Sequence, residues 1–129
     1  MNGGAFLAVG GGAALGAWAR WGLGVWLNPL LPAVPMGTLV ANVGGGYLIG
    51  LALAWFASNP GVSPETRLLL VTGFLGALTT FSTFSAEAVT LLQRQQYGWA
   101  AAHVMLHLVG SLLATVLGMW SLRLIKGIG

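Results

Sequence analysis

The side chains able to do chemistry in this sequence are few, and they crowd into three stretches. The densest is Thr72-Gly73-Phe74-Leu75-Gly76-Ala77-Leu78-Thr79-Thr80-Phe81-Ser82-Thr83-Phe84-Ser85-Ala86-Glu87, with five hydroxyls in the seven residues 79–85. A Ser or Thr hydroxyl can bond the carbonyl four residues back and loosen a helix, and Gly73 and Gly76 weaken it further. A break near Thr79 and Thr80 is therefore expected. It would free carbonyls on one side, which suit a small cation, and N–H groups on the other, which suit an anion. The alternative is that the hydroxyls only join neighbouring helices. Phe81 and Phe84, three apart, share or nearly share a helix face with Thr80. Their positive ring edges could stabilise an anion without a tight charged trap, although two Phe in such a helix also serve plain packing.

The second stretch is Gly37-Thr38-Leu39-Val40-Ala41-Asn42-Val43-Gly44-Gly45-Gly46-Tyr47-Leu48-Ile49-Gly50. Spacing of four sets Asn42, Gly46 and Gly50 on one face, with a GxxxG pair that admits another backbone beside a polar amide. That amide can give two hydrogen bonds to an anion or join two helices. The third stretch carries His103, His107, Ser111 and Thr115 at intervals of four, a polar stripe that suggests a wetted surface or a helix contact. His103 and His107 also have metal-ligand spacing, but with no Cys and only two acids in the chain a third ligand is hard to name, so a pore lining or helix contact is favoured. Arg20, between Trp18 and Trp21, can snorkel to the interface or pair with Glu87 or with helix ends. Glu87 is the one acid that must enter the apolar region, as a proton carrier or beside a vestibule near Arg94.

The elements that must position these groups follow from composition. Of 129 residues 57% are hydrophobic and 5% charged, too little charge to cover a soluble domain, so most of the chain belongs in lipid. The expectation is a single all-α transmembrane domain over 1–129, with spans at about 4–27, 37–57, 66–92 and 97–124. Pro29, Pro32 and Pro35 mark the first connection, Asn59-Pro60-Gly61 the second and Gln93-Arg94-Gln95-Gln96 the third. Trp18, Trp21, Trp26, Trp55, Tyr97, Trp99 and Trp120 fall near span ends, where amphipathic rings prefer the headgroup region. The five basic residues form no run that could follow a phosphate backbone, which argues against nucleic acid. Nothing in the first span resembles a cleaved leader. Arg67, Arg123 and Lys126 flank one side, Arg94 and Arg20 the other, a balance too even to fix orientation, so two copies in opposite orientation could pair.

With Gly37-Thr38-Leu39-Val40-Ala41-Asn42 and His107-Leu108-Val109-Gly110-Ser111-Leu112, the Gly73–Glu87 string closely resembles the Fluc/CrcB fluoride channels of microbes. The likeness extends over essentially the whole chain, including Arg20-Trp21. It implies a passive, fluoride-selective channel of the inner (plasma) membrane that exports cytoplasmic fluoride and lowers its toxicity. It also implies an antiparallel, dual-topology homodimer with two pores, and a third helix broken at mid-membrane. Carried over residue by residue, it makes Phe81 and Phe84 the aromatic edges of the path, Asn42 an amide donor, and Ser111 part of a polar track, with Ser82 and Thr83 beside the path. A structural sodium ion would sit on the backbone carbonyls of Gly76 and Thr79, with Ala77 departing from the second Gly of many relatives. Arg20, Glu87 and His107 are left as vestibule or helix-contact candidates. The physical logic agrees, since a strongly hydrated anion needs donors that bind it favourably but release it.

Two other classes compete. A small proton-coupled multidrug exporter needs a carboxylate in the first span, where this chain has Arg20 and no acid. A non-transporting scaffold subunit predicts no flux from the protein alone. A hydrolase is disfavoured because no motif sets a nucleophile beside a base, and the chain is expected not to be an enzyme.

Overall fold

The computed structural model describes residues 1–127, and those residues form helices and short connections with no strand. Helix α1 spans Gly3–Leu27, started by Asn2, whose Oδ1 accepts from the Ala5 N–H at 2.7 Å. A 3-10 turn, Asn28–Leu30, follows where the prolines forbid a helix. Asn28 then reaches across the loop, its Oδ1 accepting from the N–H groups of Gly37 (2.7 Å) and Thr38 (3.3 Å). It thereby caps helix α2, Met36–Ser58, whose positional cap is Pro35.

Helix α3 covers residues 64–78 and has three windings: an α turn at Pro64–Arg67, a π-helix at Leu68–Leu75 and an α turn at Gly76–Leu78. Ser63 starts it, accepting from the Thr66 N–H at 3.1 Å. Thr79 and Thr80 are extended, with ψ of 152° and 116°. Helix α4, Phe81–Gln93, restarts with the Thr80 hydroxyl accepting from the Thr83 N–H at 3.0 Å. A tight turn with Gln95 at φ 58° leads into helix α5, Tyr97–Lys126. The expected break thus falls at Thr79 and Thr80. Its cause is only partly as expected: Gly76 lies in the last turn before it, whereas Gly73 belongs to a helix contact.

Three helical stretches are long and apolar enough to cross a membrane: Met36–Ser58, Pro64–Gln93 and Tyr97–Lys126. The chain is a multi-pass membrane protein. Helix α1 has the length, since its 25 residues reach about 37 Å at 1.5 Å per residue, but eight of them are Gly, which lowers its hydropathy.

Two close helix pairs build the bundle. In the first, α2 meets α5 across glycines: a Cβ on Gly50 would lie 2.1 Å from Thr115 O, and one on Gly118 2.1 Å from Tyr47 O. Thr115 Oγ1 donates to Gly46 O at 3.0 Å across the same seam. This is the close approach that the GxxxG pair predicts. In the second, Gly12 and Gly16 of α1 lie against the π-helix, where a Cβ on Gly73 would meet Val9 O at 2.7 Å. Where lipid is as apolar as the side chains, such backbone contacts rather than hydrophobic burial hold helices together. Ala41, Leu75 and Leu78, backed by Leu23, Ile49 and Phe74, join the pairs beside the break.

Candidate functional site

Asn42 faces the break and closes on its backbone. Its Oδ1 accepts from the Thr80 N–H at 2.7 Å and its Nδ2 donates to Thr80 O at 3.0 Å. Both polar groups of a non-helical residue are thereby satisfied by one amide, which removes most of the cost of interrupting a helix in an apolar medium. Because Oδ1 is committed to Thr80, Nδ2 is also the donor in the 3.0 Å contact with His107 Nδ1, so the neutral His107 ring keeps its proton on Nε2. The Thr80 N–H would have gone to Gly76 O in a continuous helix. Its capture by Asn42 releases the Gly76 carbonyl, while Arg20 Nε donates to the next one, Ala77 O, at 3.0 Å. Arg20 thus pairs with a helix end.

One cavity of about 670 Å³ gathers Asn42, Gly76, Thr79, Phe81, Phe84, His107 and Ser111 along its wall. Phe81 and Phe84 meet edge to face, centroids 5.5 Å apart at 62°, and Phe81 is 81% exposed at the cavity's edge. A second cavity of about 320 Å³ is lined by Arg20, Thr38 and Thr83 among others. Ser82 lines neither: it is exposed, with its hydroxyl 3.3 Å from Thr80 Oγ1. The polar stripe of α5 divides. Thr115 is used in the contact with α2, and Ser111 donates to Leu108 O at 3.2 Å within its own helix.

Comparison with known proteins matches the sequence of this chain to one family. The family described as CrcB-like protein, Camphor Resistance (CrcB), matches residues 7–119. The chain is 63% identical to a protein of Thiobacillus denitrificans over 122 residues, covering 95% of this chain and 98% of that one. It is 61% identical to one of Cupriavidus pinatubonensis over 120 residues (93% and 95%), and 60% identical to one of Pseudomonas paraeruginosa over 121 residues (94% and 95%). Each of these relatives is called a fluoride-specific ion channel, FluC. The chain belongs to the CrcB family.

Among the residues of this CrcB chain, Glu87 departs most from what its sequence neighbours suggest. It turns away from Arg94, which is exposed, and accepts from Thr38 Oγ1 at 2.7 Å through Oε2. Its other oxygen, Oε1, stands 3.6 Å from His103 Nε2. His103 is wholly buried and His107 nearly so, with ring centroids 4.4 Å apart, and Phe84 packs on both at 5.2 and 4.7 Å. His103 Nε2 also lies 3.3 Å from Phe84 O. Sequence separations of 49 between Thr38 and Glu87, and 16 between Glu87 and His103, leave no local signal for this grouping. At the break the Gly76 carbonyl lacks its helical N–H partner, and Gly76 and Thr79 both line the larger cavity; carbonyl oxygens are the donor type that a small hard cation takes.

Proposed function

We propose that this chain is a passive fluoride channel of the cell's inner (plasma) membrane, working as an antiparallel, dual-topology homodimer with four spans, α1, α2, the broken pair α3–α4 and α5, crossing the bilayer. The observation that carries this reading is the single cavity joining Asn42, the Phe81–Phe84 pair and Ser111 beside a mid-helix break, in a chain whose close relatives are named fluoride-specific ion channels. Two features support the dimer: the nearly even distribution of basic residues, and a cavity whose edge residue, Phe81, is exposed in one copy. A second copy would complete two equivalent paths related by the dyad.

Conduction of a small, strongly hydrated anion needs many weak donors and no fixed cation in the narrow part. Asn42 is held by Thr80, so its amide is preorganised, and turning the Nδ2 proton now given to His107 toward the path would offer an arriving ion a donor at little entropy cost. Phe81 and Phe84 both line the cavity and meet edge to face, so their positive ring edges would be available to an ion moving along it. Ser111, which lines the same cavity, can turn its hydroxyl from Leu108 O toward a passing ion, while Thr83 in the second cavity and the exposed Ser82 would act at the approaches. Arg20 is anchored on Ala77 O beside the second cavity, which makes it a vestibule charge that draws anions in from a distance. Gly76 and Thr79 carbonyls would hold a structural sodium ion, whose bound charge would tie the two copies together at the break.

The test is fluoride efflux from liposomes holding only the purified protein, with chloride followed in parallel and a potassium ionophore present. Rapid fluoride release without chloride release, indifferent to a proton gradient, is the expected result. No release from well-folded protein would favour the scaffold reading, and release driven by a proton gradient would favour the coupled exporter.

A further inference from the structure

Glu87, His103 and His107 form a cluster that the ion path above does not need. One ligand atom from each lies within 4.8 Å of the other two. Among the described residues, Glu87 Oε1, His103 Nδ1 and His107 Nε2 are buried and have no hydrogen-bond partner. A buried polar atom left unpaired costs about 1–3 kcal/mol, and one such atom on each of three neighbouring residues is a cost that a bound ligand would relieve. The surroundings have the form of a metal site's outer shell. Thr38 holds one carboxylate oxygen and leaves the other facing His103 Nε2, α5 fixes the two imidazoles by i, i+4 spacing, and the Phe84 ring covers both. The third ligand that the sequence does not reveal is thus Glu87, delivered by α4.

We infer that Glu87, His103 and His107 form a binding site for a divalent transition metal such as Zn²⁺. Two imidazoles and a carboxylate are a ligand set that zinc accepts with a fourth position open to water or an anion. Closing ligand atoms from up to 4.8 Å to the tetrahedral spacing set by bonds of about 2.0–2.1 Å needs a contraction of roughly 1.5 Å at most, within the reach of side-chain rotation. Mg²⁺ and Ca²⁺ take oxygen ligands, so two imidazoles in the set select against them. The cluster meets the larger cavity at His107 and the smaller one through Thr38, which gives an ion its way in.

The site is coupled to the break through one proton. For His107 to give Nε2 to a metal, its proton must move to Nδ1, where the Asn42 amide nitrogen now donates. The metal and the Asn42–His107 hydrogen bond therefore exclude one another. Zinc would loosen the amide that clasps Thr80 and set a concentrated positive charge next to the proposed path. If the fluoride-channel reading holds, zinc should slow efflux, and EDTA should restore it.

Calorimetric titration of the purified full chain with Zn²⁺, with Mg²⁺ as control, tests the site without any flux measurement, and X-ray absorption at the zinc edge reads the ligands. The expected result is one zinc per chain with two imidazoles in its shell, binding tenfold or more weaker in both His103→Gln and Glu87→Gln, each verified as folded by its elution and helicity. Asn42→Asp, which gives Nδ1–H an acceptor, should tighten binding tenfold or more. Absence of zinc binding by the folded wild-type chain, or unchanged binding in the two ligand variants, would overturn the site, and weaker binding in Asn42→Asp would remove His107 from it. A chain that binds zinc in this way but passes no fluoride would overturn the channel reading and leave the metal site standing.

Discussion

Two polar groupings lie close together within the bundle, and they differ in how completely they are closed. At the break, Asn42 satisfies both the N–H and the C=O of Thr80, and the Thr80 hydroxyl caps α4. At the Glu87, His103 and His107 cluster each residue keeps one atom without a partner. The difference separates two uses of polarity in an apolar medium. A closed network makes an irregular backbone affordable and rigid, whereas an open one keeps its interaction energy for something that arrives. Phe84 belongs to both: its ring stacks on the imidazoles and meets Phe81 at the cavity.

The largest expected effect comes from opening the closed network with a charge. Asn42→Asp places a carboxylate against the Thr80 carbonyl and beside the anion path. Like charges 4 Å apart at an effective dielectric of 20 repel by about 4 kcal/mol, roughly a thousandfold in occupancy. Liposome efflux should fall to background, and a conducting variant would show that this amide only joins helices. Thr38→Val acts on the other grouping by freeing the second Glu87 oxygen inside the protein. Loss of a hydrogen bond to a charged group should lower stability by about 2 kcal/mol, read as the denaturant midpoint, and an unchanged midpoint would mean that Glu87 finds another partner there.

Phe81→Ile and Phe84→Ile remove the ring edges while keeping apolar volume. Each should slow efflux roughly fivefold, taking about 1 kcal/mol for an aromatic contact, with the dimer still eluting intact. Normal flux in both would take the rings out of the mechanism, while slowing in Phe84→Ile alone would place the barrier beside the histidines. Glu87→Gln should change least, because the amide can still accept from Thr38 and passive flux needs no carried proton. Loss of a component driven by a pH gradient in this variant would move the open cluster into the transport cycle.

What could be read from the sequence depended on how far apart the partners lie in the chain. The break at Thr79 and Thr80 was legible because its causes are local hydroxyls, and the α2–α5 seam because a GxxxG pair states a close approach by itself. Span ends followed from proline, glycine and polar runs. The Thr38–Glu87 bond and the delivery of Glu87 to the two histidines were not legible, since they arise only when α2, α4 and α5 assemble. For the same reason Gly73 was read as a weak point rather than as a contact surface for α1. The π winding of Leu68–Leu75 leaves no residue pattern of its own, because the hydrophobic residues there satisfy either winding.

That winding also governs what the chain can tolerate in length. The glycine contact with α1 runs from Leu69 to Leu78, through the π winding to the last turn before the break, so this winding sets the rotation at which the chain reaches Thr79. Deleting a single residue between Gly73 and Leu78 would turn Thr79 and Thr80 by about 100° relative to that contact, since one α-helical residue spans that angle. Asn42 would then no longer meet Thr80, although every polar residue would still be present. The phase of the helix, and not only its composition, is part of the site.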